Sequence, residues 1–431
     1  MTLAPTRAPA AARPGLDVVP TGARAAVSAR VARRLFEAAV ARLDVTVVVE
    51  DPDGVHTMGR GGPVMTVHRP WEFFARTGRH QLIGFGEAYL TGSWDAEDVG
   101  GFLAVLAAEL PDLVPRSLQR LRAMVVARPP QMHRNSERNT RDNIAHHYDL
   151  SNDLFGLFLD PSLSYSSALF DAEVLRAGDH LQATVPSEGS DLHAGQLRKI
   201  GRLLDETRVG EGSRVLEVGT GWGELAIRAA QRGATVRTVT LSTEQKALAE
   251  ERIAAAGVAD RVDVELCDYR ELKPQDGLYD AIVSVEMIEA VGHEYWSTYF
   301  TTVDRLLAPG GRVGIQAITM PHDRMLATRR TYTWINKYIF PGGFLPSVEA
   351  VEEVTSRDTT LRVSNRLSMG LHYAETLRQW YEAFLAASDE VHRLGFDETF
   401  QRMWHFYLEY SRAGFASGYI DVQQLTLARE G

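Results

Sequence analysis

The sequence predicts an α/β protein in which a doubly wound, parallel sheet is preceded by a smaller α+β domain. Three observations indicate this fold. From residue 211 onward, apolar segments of strand length alternate with segments of helix length. A glycine-rich turn, "VGTGWGE", follows the first of these strands. The 431 residues also exceed what one compact core usually holds, so we expect more than one domain.

Composition excludes several classes of protein. The chain is 45% hydrophobic and 24% charged, as an ordinary soluble protein is. Its formal net charge of −10 argues against nucleic acid as a partner, because nucleic-acid binding needs a positive surface. The single cysteine, Cys267, excludes an internal disulfide and a cysteine-based zinc site. No apolar run reaches the length of about 18 residues that a membrane span needs.

The N-terminal part of the chain has three distinct patterns. Residues 1–22 lack the apolar core of a secretion signal, and their Ala/Pro/Arg bias predicts a disordered tail. Residues 23–43 have helical periodicity, and "VTVVVEDPDGVHTM" alternates about a turn, which predicts a β-hairpin. We therefore expect a small α+β domain over residues 23–114. The whole protein is expected to be cytoplasmic, with only peripheral membrane contact.

A basic segment follows this domain. Residues 115–140 are predicted to be a linker, because Pro129-Pro130 breaks any helix there. Between Arg116 and Arg134 the linker holds five arginines and no acidic residue. Two interpretations remain open: a solvated connector, or a site for the anionic headgroups of a membrane surface.

The remaining elements alternate as a parallel sheet requires. The predicted strands are "SRVLEV", "ATVRTVTL", "RVDVELC", "YDAIVSV" and "GRVGIQAI", and the first two helices are "GELAIRAAQR" and "TEQKALAEERIAAAG". Ligands of such sheets bind beyond the carboxyl ends of the strands. The residues expected to meet at that edge are Gly219, Thr240, Asp268, Glu286, Glu289 and Gln316.

The glycine turn indicates a nucleotide-containing cofactor. Gly219, Gly221 and Gly223 lie between a strand and a helix, where glycines permit a tight turn and a close approach by a ligand. Their G-x-G-x-G spacing differs from the dinucleotide pattern G-x-G-x-x-G, and the second strand lacks the acidic residue of an NAD site. Asp268 can accept a hydrogen bond from an adenine amino group, and Tyr269 can stack on the ring. This pattern favours S-adenosylmethionine over a nicotinamide cofactor.

Several motifs together resemble the cyclopropane-fatty-acid synthase family. They include "HYDLSNDLF", "SYSSALF", "VGTGWGELA", "VSVEMIEAVG" and "HYAETLRQWYEAF", and the resemblance spans about residues 140–430. It implies a Rossmann-like class I methyltransferase domain over residues 141–431 that uses S-adenosylmethionine to methylate double bonds of lipid acyl chains. The motifs "IQAITMPHDRM" and "KYIFPGG" look most like the actinobacterial branch that makes 10-methylene and 10-methyl fatty acids of the tuberculostearic-acid type.

The resemblance also implies which residues bind the cofactor. Tyr165 and Ser166 are expected at its methionine end, and Thr240, Leu241 and Gln245 replace the missing ribose acid. The full set expected to bind the cofactor is Tyr148, Tyr165, Ser166, Val218, Gly219, Thr220, Gly221, Trp222, Gly223, Thr240, Leu241, Gln245, Asp268 and Tyr269.

In the family a bound bicarbonate acts as the base, and the resemblance implies one here. Its expected ligands include Glu289 and Tyr373, with Glu286 in support. Ser167 lies where the family usually has cysteine, and Gln316 where it usually has histidine. Gln316 can hydrogen-bond an oxyanion but cannot take a proton at neutral pH. The catalytic set is therefore expected to be Glu289, Tyr373, Gln316 and Ser167.

Two residues that follow Glu289 closely in the sequence are expected to have no catalytic role. Glu294 is expected in solvent, and His293 in a loop. No metal site is predicted, since His146 and His147 are adjacent and lack the i, i+4 spacing of a helical zinc pair.

The favoured function is methyl transfer to an unsaturated, oleoyl-type phospholipid acyl chain, which gives a 10-methylene-branched chain through a carbocation. Cyclopropane formation on the same substrate is the alternative within this chemistry. A third hypothesis, from another class, is a non-catalytic lipid-binding partner of a reductase. The expected partners are unsaturated phospholipid acyl chains, an anionic membrane surface, a separate reductase and further copies of the chain in a homo-oligomer.

The basic segment gives the first testable prediction. Replacing Arg116, Arg120 and Arg122 with Gln should weaken binding to anionic vesicles and reduce its sensitivity to salt, because each arginine near the surface contributes roughly 1 kcal/mol. Vesicle co-sedimentation at low and high salt measures both effects. Equal binding by the variant and the parent at low salt would identify the segment as a solvated connector.

Overall fold

The computed structural model describes residues 16–113, 151–187, 189–274, 277–329 and 331–429. In chain order the helices are α1 (Ala23–Val40), α2 (Pro70–Leu90), α3 (Val99–Leu113), α4 (Asn152–Gly156), α5 (Leu192–Glu206), α6 (Glu224–Gln231), α7 (Thr243–Ala255), α8 (Ile288–Val291), α9 (Trp296–Leu306), α10 (His322–Thr328), α11 (Trp334–Tyr338), α12 (Val348–Asp358), α13 (Gly370–Ala386), α14 (Ser388–Arg393) and α15 (Glu398–Ala416). Two 3-10 turns cover Tyr269–Glu271 and His293–Tyr295.

The strands are β1 (Thr46–Asp51), β2 (Gly54–Gly59), β3 (Val64–Val67), β4 (Trp94–Ala96), β5 (Val174–Ala177), β6 (His180–Ala183), β7 (Arg214–Val218), β8 (Thr235–Thr240), β9 (Val262–Leu266), β10 (Tyr279–Val285), β11 (Leu307–Thr319), β12 (Leu361–Ser368) and β13 (Asp421–Arg429). All five strands and both helices predicted for the C-terminal domain are present.

Contacts within the chain define two compact units. The first contains the described residues of 1–129, 330–339 and 380–419, and the second those of 130–329, 340–379 and 420–431. These bounds differ from the predicted ones, which gave all of 141–431 to one domain. The reason is that α11 packs against α2, and α15 against α2 and α3, inside the first unit.

The first unit is built on a four-stranded sheet of order β2-β1-β3-β4. Strands β1 and β2 form the predicted antiparallel hairpin around Pro52-Asp53, and β3 pairs parallel to β1. The core of the unit is aromatic, and Trp94 at its centre is fully buried with its indole N–H donated to the Phe85 carbonyl, 2.9 Å away.

The second unit contains a nine-stranded sheet of order β5-β6-β12-β13-β11-β10-β7-β8-β9. The five predicted strands pair in parallel, as the alternation with helices indicated. The sheet as a whole is mixed, however, because β13 runs antiparallel to both β11 and β12. Apolar cores cover both faces: α9 and α12 contribute to one, and α5, α6 and α7 to the other.

The mixed part of the sheet positions helix α13. This helix begins at Gly370, two residues after β12 ends, and carries Tyr373 in its first turn. No helix in the described parts of the chain is long and apolar enough to cross a membrane.

Candidate active site

Strand register places the predicted site residues along one edge of the second unit's sheet. Ser284 lies beside Val218, and Val218 beside Val239. On the other side of β10, Val285 lies beside Gln316. Hydrogen bonds continue past the strand ends, because Glu286 N–H donates to the Gln316 carbonyl at 2.8 Å and Gly219 N–H to the Val239 carbonyl at 3.0 Å. Residues 20 to 66 positions apart in the chain thus meet at adjoining strand ends.

The glycine turn has the backbone and the open space that a ligand needs. Gly219, Gly221 and Gly223 have φ values of 99°, 53° and 89°, which are left-handed conformations that favour glycine. A Cβ added to Gly221 would meet no atom within 4 Å. At Gly219, by contrast, it would lie 2.5 Å from Met287 Cγ. The turn therefore fits a cofactor that approaches the backbone at Gly221.

The neighbouring strand end supplies neutral polar groups. Thr240 Oγ1 donates to Gln245 Oε1 at 2.9 Å and accepts from Ser242 N–H at 3.1 Å. Ser242 in turn caps α7. Leu241 lies between them and is partly buried. A hydroxyl and an amide thus hold the position where a nicotinamide site would have an acid.

The third strand end differs from the simplest expectation. Asp268 accepts from Arg270 N–H at 3.0 Å and from Arg270 Nε at 2.9 Å, so its carboxylate is already bound within the protein. Tyr269 lies edge-on to Tyr299 with ring centroids 5.4 Å apart, and burial raises the pKa of its hydroxyl above the usual range. Adenine recognition by Asp268 and Tyr269 stays a prediction.

Helix α4 anchors two of the predicted cofactor residues. Trp222 Nε1 donates to Asn152 Oδ1 at 2.9 Å, and the Phe155 ring lies 5.1 Å from Trp222 and 5.0 Å from Tyr165. Buried aromatic packing therefore joins the "SYSSA" segment to the glycine turn. Tyr148, which precedes α4, lies outside the described residues, as do the arginines of the basic segment.

Thr220 faces away from the open space. Its hydroxyl lies 2.7 Å from that of Thr238, which also hydrogen-bonds the buried carboxyl of Glu217 at 2.6 Å. Burial raises the pKa of Glu217 to about 8. Only the backbone of Thr220 is therefore placed to contribute to the predicted cofactor site.

The carboxylate of Glu286 is the centre of the chemical groups at this edge. Its Oε1 accepts from Ser167 N–H at 2.9 Å and from Gln316 Nε2 at 2.8 Å. Its Oε2 accepts from the Tyr373 hydroxyl at 2.7 Å. Three of the predicted catalytic residues thus converge on Glu286, not on Glu289. Ser167 contributes its backbone N–H, since its hydroxyl donates to the Ala168 carbonyl at 3.0 Å.

Glu289 lies close by but is bound differently. Its Oε1 accepts from Ile318 N–H, and its buried Oε2 has no hydrogen-bond partner in the described part of the chain. Burial, followed by the nearby charge of Glu286, raises the pKa of Glu289 to about 8. Glu289 is therefore mostly protonated at neutral pH.

Lys199 is a member of the site that sequence reasoning missed. It is 1% exposed, and its Nζ donates to Ser166 Oγ at 2.7 Å. Burial lowers the pKa of Lys199 to about 8, while the charges of Glu286 and Asp160 oppose that shift. The available signal was helical spacing, because Lys199 shares a face of α5 with the buried residues Gln196, Ile200 and Leu203.

The remaining predictions concern Glu294, His293 and a metal site. Glu294 is 59% exposed on its side chain and pairs with His293. Within the described ranges, no group of three His, Cys, Asp or Glu residues is arranged to hold a metal ion.

Comparison with known proteins identifies close relatives of this chain. Residues 135–425 match the family model described as mycolic acid cyclopropane synthetase. Tuberculostearic acid methyltransferase UfaA1 of Mycobacterium tuberculosis is 50% identical over 436 aligned residues, which cover 100% of both chains. Cyclopropane-fatty-acyl-phospholipid synthase of Escherichia coli is 32% identical over 378 residues, 87% of this chain and 90% of that one.

Solved structures agree with these matches. The cyclopropane synthase MmaA2 from Mycobacterium tuberculosis aligns with a TM-score of 0.59 and 30% identity, and covers 67% of this chain and 98% of its own. The mycolic acid cyclopropane synthase CmaA1, in a complex with SAH and CTAB, aligns with a TM-score of 0.58 and 30% identity over 69% of this chain and 98% of its own.

The glycine turn gives a direct test of cofactor binding. Gly221→Val should abolish measurable S-adenosylmethionine binding in calorimetry, because its branched side chain would fill the open space beside the turn. Gly257→Val is the matched control. Gly257 also has a positive φ, 70°, with no atom within 4 Å of an added Cβ, but it follows the far end of α7. Unchanged affinity in Gly221→Val would refute the assignment of this turn.

The raised pKa of Glu289 predicts a pH-dependent stability. Its folded-state pKa of about 8 exceeds the ordinary value of 4.5, so the folded protein binds an extra proton between these pH values. Stability therefore falls as pH rises through that window. Glu289→Gln mimics the protonated form and should gain in urea midpoint relative to the parent between pH 6 and about 8.5. As a control, the urea midpoint of the exposed Glu294→Gln variant should follow that of the parent across this pH range. A Glu289→Gln midpoint that also ran parallel to the parent would contradict the raised pKa of Glu289.

Proposed function

Because the chain belongs to the mycolic acid cyclopropane synthetase family and is an S-adenosylmethionine-dependent methyltransferase, we propose that it methylates the double bond of an oleoyl-type phospholipid acyl chain. The product we propose is a 10-methylene-branched chain. The supporting observation is the likeness to a tuberculostearic acid methyltransferase along the full length of both chains. The buried carboxyl pair beside the glycine turn supplies groups that this chemistry requires.

The reaction makes two demands on the site. S-adenosylmethionine supplies an electrophilic methyl group. An alkene is a weak nucleophile, so the enzyme must align it and exclude water. Attack on the methyl group leaves a positive charge on the acyl chain. A hydride shift followed by loss of a methyl proton then gives the exocyclic methylene, so the site must also hold a base and tolerate a cation.

The carboxyl pair is suited to these demands. Glu286 and Glu289 lie at the end of β10, and Tyr373 and Gln316 hold Glu286 in one orientation. A fixed negative charge in a buried site stabilises a nearby cation more strongly than a solvated one does. The same groups argue against the third hypothesis, because a purely lipid-binding protein has no need for a buried carboxylate held by three donors.

Cyclopropane formation is the second candidate. The likeness to the cyclopropane-fatty-acyl-phospholipid synthase of E. coli favours it. The two routes share the cation and differ in how the proton leaves: ring closure accompanies proton loss in one, and a hydride shift precedes it in the other. The base can be the same group in both, so the orientation of the acyl chain decides between them.

The proposed substrate implies further partners. A phospholipid acyl chain must be drawn from a bilayer, so we include peripheral contact with an anionic membrane in the proposal, through the basic segment at 116–134. A methylene product becomes a methyl branch only by addition of two hydrogens, so a separate reductase completes the sequence. A homo-oligomer is also part of this proposal.

Lipid analysis tests the function. Cells that express this chain without a reductase should accumulate a fatty acid one CH2 heavier than oleate. Cyclopropane and methylene isomers have equal mass, so mild hydrogenation must follow: the methylene takes up two hydrogens and the ring resists. Cells with Gly221→Val provide the baseline. A product that resists hydrogenation would establish the cyclopropane route, and no new fatty acid relative to the baseline would overturn the proposed function.

A further inference from the structure

We infer that the carboxylate of Glu286 is itself the base of this enzyme and takes the place of the bicarbonate that the family resemblance implies beside Tyr373 and Glu289. The inference rests on the proposed function, since it names the group that takes the methyl proton in that reaction. It stands on the geometry of Glu286, Ser167, Gln316 and Tyr373.

Hydrogen counting leaves no donor for a bicarbonate ion among Ser167, Gln316 and Tyr373. Ser167 N–H and the Tyr373 hydroxyl have one hydrogen each, and both are donated to Glu286. Gln316 Nε2 has two hydrogens, one for Glu286 Oε1 and one for the Ser167 carbonyl at 3.2 Å. Gln316 Oε1 accepts from Gln424 Nε2 at 3.1 Å, which fixes the orientation of its amide. Every hydrogen that these groups could offer an anion is already committed.

The carboxylate also has a position for an incoming proton. Each carboxylate oxygen has about two lone pairs. Oε1 uses both, for Ser167 and Gln316, whereas Oε2 accepts only from Tyr373 among the contacts of the described chain. Glu286 therefore accepts a proton on Oε2, on the side that faces away from Tyr373.

Backbone strain at Glu286 supports a functional reason for this arrangement. Its φ is 52°, a left-handed conformation that strains a residue other than glycine. The conformation follows directly after β10 and turns the side chain towards Ser167 and Gln316. Glycine would hold the same backbone without strain. The protein thus keeps a strained glutamate where an unstrained glycine would leave the three donors open.

Glu286 has more hydrogen-bond donors for a negative charge than Glu289 has. Burial raises its pKa, but its three hydrogen-bond donors and the charge of Lys199 favour the carboxylate. Glu289 has one backbone donor and is mostly protonated at neutral pH. With three donors on Glu286 and one on Glu289, the geometry favours Glu286 as the member of the pair that carries the negative charge.

The proton balance is simple. The alkene electron pair forms the new bond to the methyl carbon as the carbon–sulfur bond breaks, and the pair of that bond stays on sulfur. After the hydride shift, the electrons of one methyl C–H bond form the exocyclic double bond. The released proton is taken by Glu286 Oε2, which becomes a carboxylic acid and later returns the proton to water.

Substitution at Glu286 separates a built-in base from a bound one. Glu286→Gly should lower turnover by about 10²–10⁴-fold in bicarbonate-free buffer, the usual contribution of a positioned base. Because glycine opens the anion site, added bicarbonate or formate should restore at least part of that loss, whereas nitrate, a planar anion of little basicity, should not. Glu286→Gln should stay inactive with every anion, because its amide still fills the site.

The assay uses the full chain, S-adenosylmethionine and dioleoyl phospholipid vesicles, with S-adenosylhomocysteine release as the readout. The parent should turn over equally with and without bicarbonate, and Glu294→Gln should match it. A parent that loses turnover in bicarbonate-free buffer would overturn the inference. So would a Glu286→Gln enzyme of parental activity, or a Glu286→Gly enzyme that folds but responds to none of the basic anions.

A binding measurement keeps this test separate from the proposed function. Titration of 13C-labelled bicarbonate with each protein should broaden its NMR signal with Glu286→Gly and leave it sharp with the parent. Broadening by the parent would show that bicarbonate binds despite Glu286, and would overturn the inference. If no protein turns over any unsaturated phospholipid, the proposed function fails, while the occupancy of the anion site is still decided by this titration.

Discussion

The chemistry of the site depends on the hydrogen-bond donors that surround one buried carboxylate, that of Glu286. Burial of an unpaired charge costs several kcal/mol, so Glu286 is stable only with donors on both oxygens. Those donors come from three distant segments: the loop between α4 and β5, strand β11 and the first turn of α13. The need to pair one charge therefore fixes the relative positions of elements more than 200 residues apart in the chain.

The sheet makes that convergence possible. Parallel pairing of β7, β8, β10 and β11 brings their carboxyl ends to one edge, and the antiparallel strands β12 and β13 lead the chain back to α13 and Tyr373. The cofactor turn and the carboxylate are consequently neighbours: a Cβ on Gly219 would touch Met287, the residue after Glu286. The same strand ends thus position the glycine turn and the Glu286 carboxylate.

Most of the second unit could be predicted from the sequence, because apolar periodicity and glycine turns are local signals. The choice between Glu286 and Glu289 could not be, since it depends on a positive φ at Glu286 and on donors from distant segments. The orientation of the Thr220 side chain could not be predicted either: it hydrogen-bonds Thr238, which leaves only the backbone of Thr220 for the predicted cofactor site. The antiparallel strands were missed because pairing direction leaves no local pattern in a sequence.

A base supplied by the chain differs physically from one recruited from solution. A free anion must be captured and oriented for each active enzyme molecule, at an entropic cost that binding has to offset. A glutamate side chain meets that cost during folding, and the strain at Glu286 is part of it. The carboxylate can, however, occupy only the positions that the fixed backbone of Glu286 allows. In both proposed routes the proton leaves the transferred methyl carbon, so we expect the position of that carbon relative to Oε2, rather than the strength of the base, to select the branched or cyclic product.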